Sequence, residues 1–344
     1  MNNTTNNDLT NELLQTKTRD SITINLSNEN NESSNNLNKA YIYAILSLLS
    51  FSLCNIHMKI ISYKISTLTM YNFTIIRQLS ICLTAFLYLK YKNSHLDIKS
   101  INIFSLYTTN RNEFFWMCIR SFLLTFGTLC ATYAVMNIKQ LHVTLIINLA
   151  PILSNILAPF IVDQSFKISY LYITFISFIG MVIMIWNDQL LVFDASSDNK
   201  NILLGTLSAL SFALTIVITN FSLITLNKLY DSYNLNYISS FWAFLSGFLI
   251  LIIIKGLDFI LSTLSMFLLF NGFLNGLLML ISYILLYQSL IYAEVQKTSF
   301  ISYLQIPIVT LFAYIAYDEA LTFQEIIGGM ILLGSIIYAY KYLK

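Results

Sequence analysis

The chain has 344 residues, 56% of them hydrophobic and 10% charged, with a formal net charge of +2. A soluble domain carries about a quarter charged residues, so water is not the main solvent of this fold. The Lys and Arg residues are scattered and form no basic patch, which excludes nucleic acid as a partner.

Residues 1–39 are rich in Asn, Ser, Thr and Glu and poor in aromatics. Such a stretch cannot bury enough apolar surface to fold, so a disordered tail is expected. It contains no apolar run of signal-peptide length, and the first membrane helix is expected to serve as its own insertion signal. A helix needs about 20 apolar residues to cross the hydrocarbon core. The segments 40–61, 66–89, 114–136, 143–162, 168–187, 202–225, 236–255, 264–291, 298–317 and 324–341 meet or approach that length. They predict an all-α membrane protein with ten transmembrane helices. The eighth segment opens with Asn271-Gly272 and Asn275-Gly276. These steps either permit a gating bend or, the reading preferred here, let helices pack closely.

Orientation follows from Lys and Arg in short loops. With the tail in the cytosol, that side collects Lys39, Lys90, Lys92, Lys99, Arg111, Lys167, Lys228, Lys297, Lys341 and Lys344, against Lys64, Lys139, Lys200 and Lys255 opposite. Both termini are therefore expected to be cytosolic, in either the plasma membrane or an endomembrane. The terminal Lys341 and Lys344 only loosely match a dilysine retrieval signal.

The chain also repeats itself. Ile45 to Leu53, ILSLLSFSL, recurs as Thr206 to Leu214, TLSALSFAL, with six of nine positions identical at an offset of 161. Ala150-Pro151 with Gln164 is mirrored by Gln305-Ile306 with Glu319 at an offset of 155. Five helices per half put the second copy upside down relative to the first, giving two inverted repeats, 40–187 and 202–344, joined by a linker at 188–201. Two similar-energy arrangements, one open to each side, follow from such symmetry.

Arg77 in the second helix, Arg120-Ser121-Phe122-Leu123 and Tyr133-Ala134 in the third, and Pro151 in the fourth form one set of spaced residues. Tyr303-Leu304-Gln305, Asp318-Glu319-Ala320-Leu321, Gly328 and Gly334 form the other. In this set the chain resembles the drug/metabolite transporter superfamily, the ten-helix EamA-type carriers, and within it the eukaryotic solute-carrier branch related to nucleotide-sugar transporters. It departs from the pattern where Gln164 replaces a Glu and where the first-half glycines are reduced to Gly180. The resemblance implies movement of a small organic solute through a central cavity between the halves.

Arg77 lies near the middle of its helix, where a charge is unlikely to face lipid. It either binds a substrate carboxylate or phosphate through its planar fork, or makes a structural bond to backbone or to Asn72 or Asn148. Arg120 lies nearer a helix end and has length enough to snorkel to the headgroups. The resemblance points the other way, because the family keeps an arginine there, and implies a cation-lined site with Arg77. On the same ground Tyr133, Asn148, Tyr283, Tyr287, Tyr303, Gln288 and Gln305 are expected to offer hydroxyls and amides to the cavity.

No acidic residue occupies a helix centre, so coupling through Asp or Glu is disfavoured. His57 is the one central group titrating near neutral pH, either a proton relay or a packing histidine. Cys54, Cys82, Cys118 and Cys130 read as packing residues, and no histidine pattern suits a metal. No GxSxG or phosphate loop is present, so an enzyme is not expected, nor any cofactor. A polytopic membrane enzyme and a non-transporting scaffold remain the alternatives to a carrier. An anion or zwitterion is favoured by the two arginines. The expected partners are a small organic solute and the lipid bilayer, with a homodimer left open.

Overall fold

The computed structural model describes residues 36–91, 111–138, 140–161, 168–185, 197–226, 230–293, 298, 300–317 and 322–342. Most of the expected tail, most of the linker, Gln164 and the run 318–321 lie outside these residues. All regular structure within them is helical. The helices are α1 (Asn36–Ser62), α2 (Thr67–Tyr91), α3 (Arg111–Asn137), α4 (Gln140–Ile147), α5 (Ala150–Ile161), α6 (Ile168–Ile185) and α7 (Ser197–Leu226). After them come α8 (Ser232–Lys255), α9 (Leu257–Thr263), α10 (Met266–Tyr292), a 3-10 turn (Phe300–Leu304), α11 (Gln305–Tyr317) and α12 (Phe323–Tyr342). Two expected boundaries move. Helix α1 takes in the end of the expected tail, and α7 takes in the end of the expected linker.

Seven spans, namely α1, α2, α3, the α4–α5 run, α7, α8 and α10, are long and apolar enough to cross a bilayer. The remaining apolar segments, α6, the 3-10 turn with α11, and α12, stand where the other expected helices were placed. The molecule is apolar outside and polar inside, as a lipid solvent requires. Phe160, Ile253 and Met266 are more than 80% exposed, while Ser52, Thr132, Ser239 and Asn275 are fully buried. Many buried hydroxyls are satisfied within their own helix, as when Ser121 donates to Met117 O (2.9 Å), Thr132 to Thr128 O (2.7 Å) and Ser177 to Ile173 O (3.0 Å). These hydroxyls then need no partner from outside their own helix.

Helix α2 packs against α8 and α10, α3 against α7 and α8, α6 against α12, and α4 against α11. The Asn-Gly steps of α10 serve this packing. A Cβ at Gly272 would stand 2.7 Å from Ile76 Cγ2, and one at Gly276 would stand 2.6 Å from Ser80 Cβ. Helix α10 runs unbroken through both steps, so they are contact points and not a bend.

The end of the bundle away from the N-terminus is packed shut. Met58 from the end of α1, Met70 and Phe73 from the start of α2, Ala134 and Ile138 from the end of α3 and Leu268 from the start of α10 form one apolar cluster there. Beside it the buried Lys59 donates to Val135 O (2.6 Å) and Ile138 O (3.2 Å), placing a cation on the carbonyl end of α3.

Candidate functional site

Two of the chain's three prolines interrupt helices at related places. Pro151 has no N–H for the carbonyl of Ile147, and α4 ends at that residue. The chain then turns through Asn148 and Leu149 before α5 starts at Ala150. Pro307 likewise offers nothing to the carbonyl of Tyr303, and there a 3-10 turn gives way to α11 at Gln305. The restarts at Ala150 and Gln305 have the offset of 155 that the sequence repeat shows. Each break brings a helix start, with its partial positive charge, to the middle of the fold.

Both restarts face a cavity of about 150 Å³. Its wall includes Ser47 and Phe51 of α1, Arg120 and Thr128 of α3, and Asn148, Ala150 and Pro151 at the first break. Phe212, Thr219 and Asn220 of α7, Ser282 and Tyr283 of α10, Ser302 and Gln305 complete it. Helices α1 and α3 contribute from their first halves and middles, α7 and α10 from their middles and second halves, so the cavity runs from the centre of the bundle toward the end where α1 begins. Phe51 and Phe212, matched in the sequence repeat, stand on opposite walls.

Arg120 is the only full charge among the described lining residues, and no carboxylate is among them. It is 3% exposed. Nε donates to Ser239 Oγ (3.2 Å), Nη1 to Thr219 O (3.1 Å) and Nη2 to Asn236 Oδ1 (3.5 Å). A guanidinium has five N–H donors, so these contacts hold it in place and leave donors for a ligand. This corrects the snorkelling reading, because Arg120 points into the bundle, held by α7 and α8, and not toward headgroups.

Two amides beside it hold atoms in reserve. Asn148 Nδ2 donates to Thr144 O (2.8 Å), while its Oδ1 has no hydrogen-bond partner among the described residues. Gln305 Nε2 is likewise unpaired. Both side chains are almost fully buried and line the cavity. Buried polar atoms without partners are rare in native folds, and such atoms on a cavity wall are ready to meet a ligand.

Of the residues expected at the site, Arg120, Asn148, Tyr283 and Gln305 come together. The others do not line this cavity. Arg77 lies deeper, against Asn275 and Met58. Tyr133 is partly buried on α3 outside the lining, and its carbonyl accepts from Asn137. Tyr287 donates its hydroxyl to Tyr230 O (2.7 Å), tying α10 to the segment after α7. Tyr303 is buried in the 3-10 turn.

His57 sits in an amide network away from the cavity. Asn275 Nδ2 lies 3.2 Å from His57 Nδ1, and His57 Nε2 lies 3.1 Å from Asn271 Oδ1. An amide nitrogen donates, so Nδ1 accepts and the ring is held neutral with its proton on Nε2. Ser47, Thr219, Asn220 and Ser282 line the cavity without having been expected. Ser47 and Ser282 join α1 to α10 by a hydroxyl contact of 3.2 Å, and the place of Ser47 within the repeated segment was the one signal for it.

A helical bundle with an apolar exterior and several helices long enough to cross a bilayer is the architecture of a multi-pass membrane protein. Residues 199–340 match the model of the EamA-like transporter family, so the resemblance to the drug/metabolite transporter superfamily holds, on the strength of the second half of the chain. One solved structure, described only as a crystal structure of a protein, superposes with a TM-score of 0.56 at 12% identity, covering 88% of this chain and 95% of that one. At that identity the likeness concerns the fold alone. No curated protein matches the chain.

Proposed function

We propose that the chain carries a small organic anion, or a zwitterion through its carboxylate, by alternating access between two inverted five-helix halves, 40–187 and 202–344. The observation that carries this reading is Arg120, a buried guanidinium that is the one charged side chain among the described lining residues, none of which is a carboxylate. Two helix starts, Asn148 and Gln305 would add polar contacts for such a ligand, as in carriers built on broken helices.

The packing supports the inverted repeat. Exchanging the halves maps α3 against α7 onto α10 against α1, and α2 against α10 onto α8 against α3. The pairs α2 with α8 and α6 with α12 map onto themselves, and α4 with α11 maps onto the 3-10 turn with α5. The state seen is closed by the Met58–Phe73 cluster and has its cavity at the other end. With both termini cytosolic, that end faces the cytosol.

The test is uptake by the purified full chain in proteoliposomes of labelled pyruvate, malate, glutamate, glycerol 3-phosphate and UDP-glucose. Saturable uptake of one or more of the small anions is expected. No saturable uptake of any would remove the anion-carrier reading and leave an enzyme or a scaffold.

Coupling is expected to be absent, since no carboxylate lines the cavity and His57 is hydrogen-bonded at both ring nitrogens away from it. An imposed pH gradient should leave the initial rate of malate or glutamate uptake unchanged. Acceleration that His57→Gln abolishes would make His57 the relay.

A further inference from the structure

Arg77 is buried with little to hold it. It is 3% exposed, Nη1 lies 3.5 Å from Asn275 Oδ1 and 3.8 Å from Met58 Sδ, and Nε has no hydrogen-bond partner among the described residues. The helices around it, α1, α2 and α10, carry no acidic residue. A guanidinium kept from water with one long amide contact, a thioether and the neighbouring Cys54 thiol, and no carboxylate on these helices, is poorly compensated. A purely structural arginine would be expected to have better partners.

The same contact recurs on the other side of the fold with its partners exchanged. Arg120 meets Asn236 over 3.5 Å, as Arg77 meets Asn275. In the repeat, α2 corresponds to α8, and α3 corresponds to α10 at an offset of 155 that relates both their starts and their ends and sets Arg120 beside Asn275 in register. The α2–α10 pair therefore maps onto the α8–α3 pair, with one arginine–asparagine contact in each. Arg77 and Asn275 stand in the half of the bundle that is packed shut, Arg120 and Asn236 in the half that holds the cavity. Tyr283 lies between, within electrostatic reach of both arginines.

We infer that Arg77 is the counterpart of Arg120 in the oppositely open state, the charge that receives the same small organic anion when the closed end opens. This rests on the carrier reading above. On closure at the cavity end, Arg120 retires against Asn236. On opening at the other, Arg77 leaves Met58 and Asn275 and offers its free nitrogens to the anion's oxygens. Two such positions explain why the shut site tolerates a poorly compensated charge, because an entering anion stabilises the state that exposes it. They also let a carrier bind the same ligand on either face without the ligand trapping one state.

The test uses the full chain in proteoliposomes of known orientation, with whichever of labelled pyruvate, malate or glutamate shows saturable uptake as the probe. KM is measured from each face. Arg77→Gln should raise KM about tenfold or more at the face away from the termini and less than about twofold at the termini face, and Arg120→Gln should do the reverse. In each variant the ratio of the two directional Vmax values should shift by the same factor as the ratio of the two KM values, since a passive carrier must keep Vmax/KM equal in the two directions. Arg77→Lys keeps the charge without the fork and should show the same asymmetry more weakly, which serves if Arg77→Gln does not fold. An equal rise on both faces from Arg77→Gln and Arg77→Lys, or no change on either, overturns the inference. If Arg120→Gln impairs a working carrier while the Arg77 variants do not, this inference falls and the carrier reading stands. A wild-type protein that transports none of the three removes both.

Discussion

Arg120→Gln is expected to reduce uptake of the transported anion at sub-saturating concentration by about 30-fold or more, the equivalent of about 2 kcal/mol lost when one partner of a buried charge pair is truncated. The size follows from the lining, where no second cation stands among the described residues. Glutamine keeps a donor for the Thr219 carbonyl or the Ser239 hydroxyl, so the loss should fall on the ligand more than on the fold. Arg120→Lys should retain part of the activity, since the charge remains while the fork held by Ser239, Thr219 and Asn236 is lost. The check is initial uptake rate against concentration for the three proteins, beside their thermal unfolding in detergent. Unchanged KM in Arg120→Gln would sink the assignment, as would a collapse of the fold with no change in affinity among molecules that remain folded.

Length and hydropathy made the helices legible in the sequence, because a bilayer-spanning helix announces itself by apolar length regardless of what it packs against. The breaks were half legible. Ala150-Pro151 and Gln305-Ile306 were visible as a repeat, and the repeat offset returns in the positions where α5 and α11 restart. What could not be read was azimuth. A helix that is apolar nearly all round gives no stripe to show which face meets its neighbours, and depth alone had to stand in for direction.

Depth put Arg77 ahead of Arg120, whereas in this state Arg120 lines the cavity and Arg77 does not. Arg77 is central on α2 yet lies behind Phe73 and Met58, whereas Arg120, judged close to a helix end, is ten residues into a helix that begins at Arg111. Its partners Asn236 and Ser239 sit on α8, far away in sequence. Azimuth likewise separates Tyr283, which lines the cavity, from Tyr133, Tyr287 and Tyr303, which do not, the hydroxyl of Tyr287 being spent on the carbonyl of Tyr230. Lys59 was passed over because it lies near a helix end, where a lysine is ordinarily free to snorkel. Here the end of α3 is close enough to receive it.

Gly276→Val is expected to destabilise the protein by about 3 kcal/mol, at the upper end of what overpacking a close contact costs. A Cβ at that position would lie 2.6 Å from both Cβ and Oγ of Ser80 and 2.7 Å from the carbonyl oxygen of Arg77. The serine hydroxyl can turn away. The serine Cβ and the Arg77 carbonyl cannot, so relief comes only by moving α10 off α2. That contact is secured on either side, by Gly272 against Ile76 and by Ser80 donating to Phe273 O (2.9 Å). It is also the interface that sets Asn275 against Arg77. Gly334→Ala is the matched control, since no atom lies within 4 Å of its Cβ position on α12. Alanine there should be neutral or stabilising by up to about 1 kcal/mol from helix propensity alone. Thermal unfolding of both variants in the same detergent tests the pair. If Gly276→Val melts with the wild type, α10 and α2 do not touch at this point, and the Arg77–Asn275 contact loses its structural basis with them.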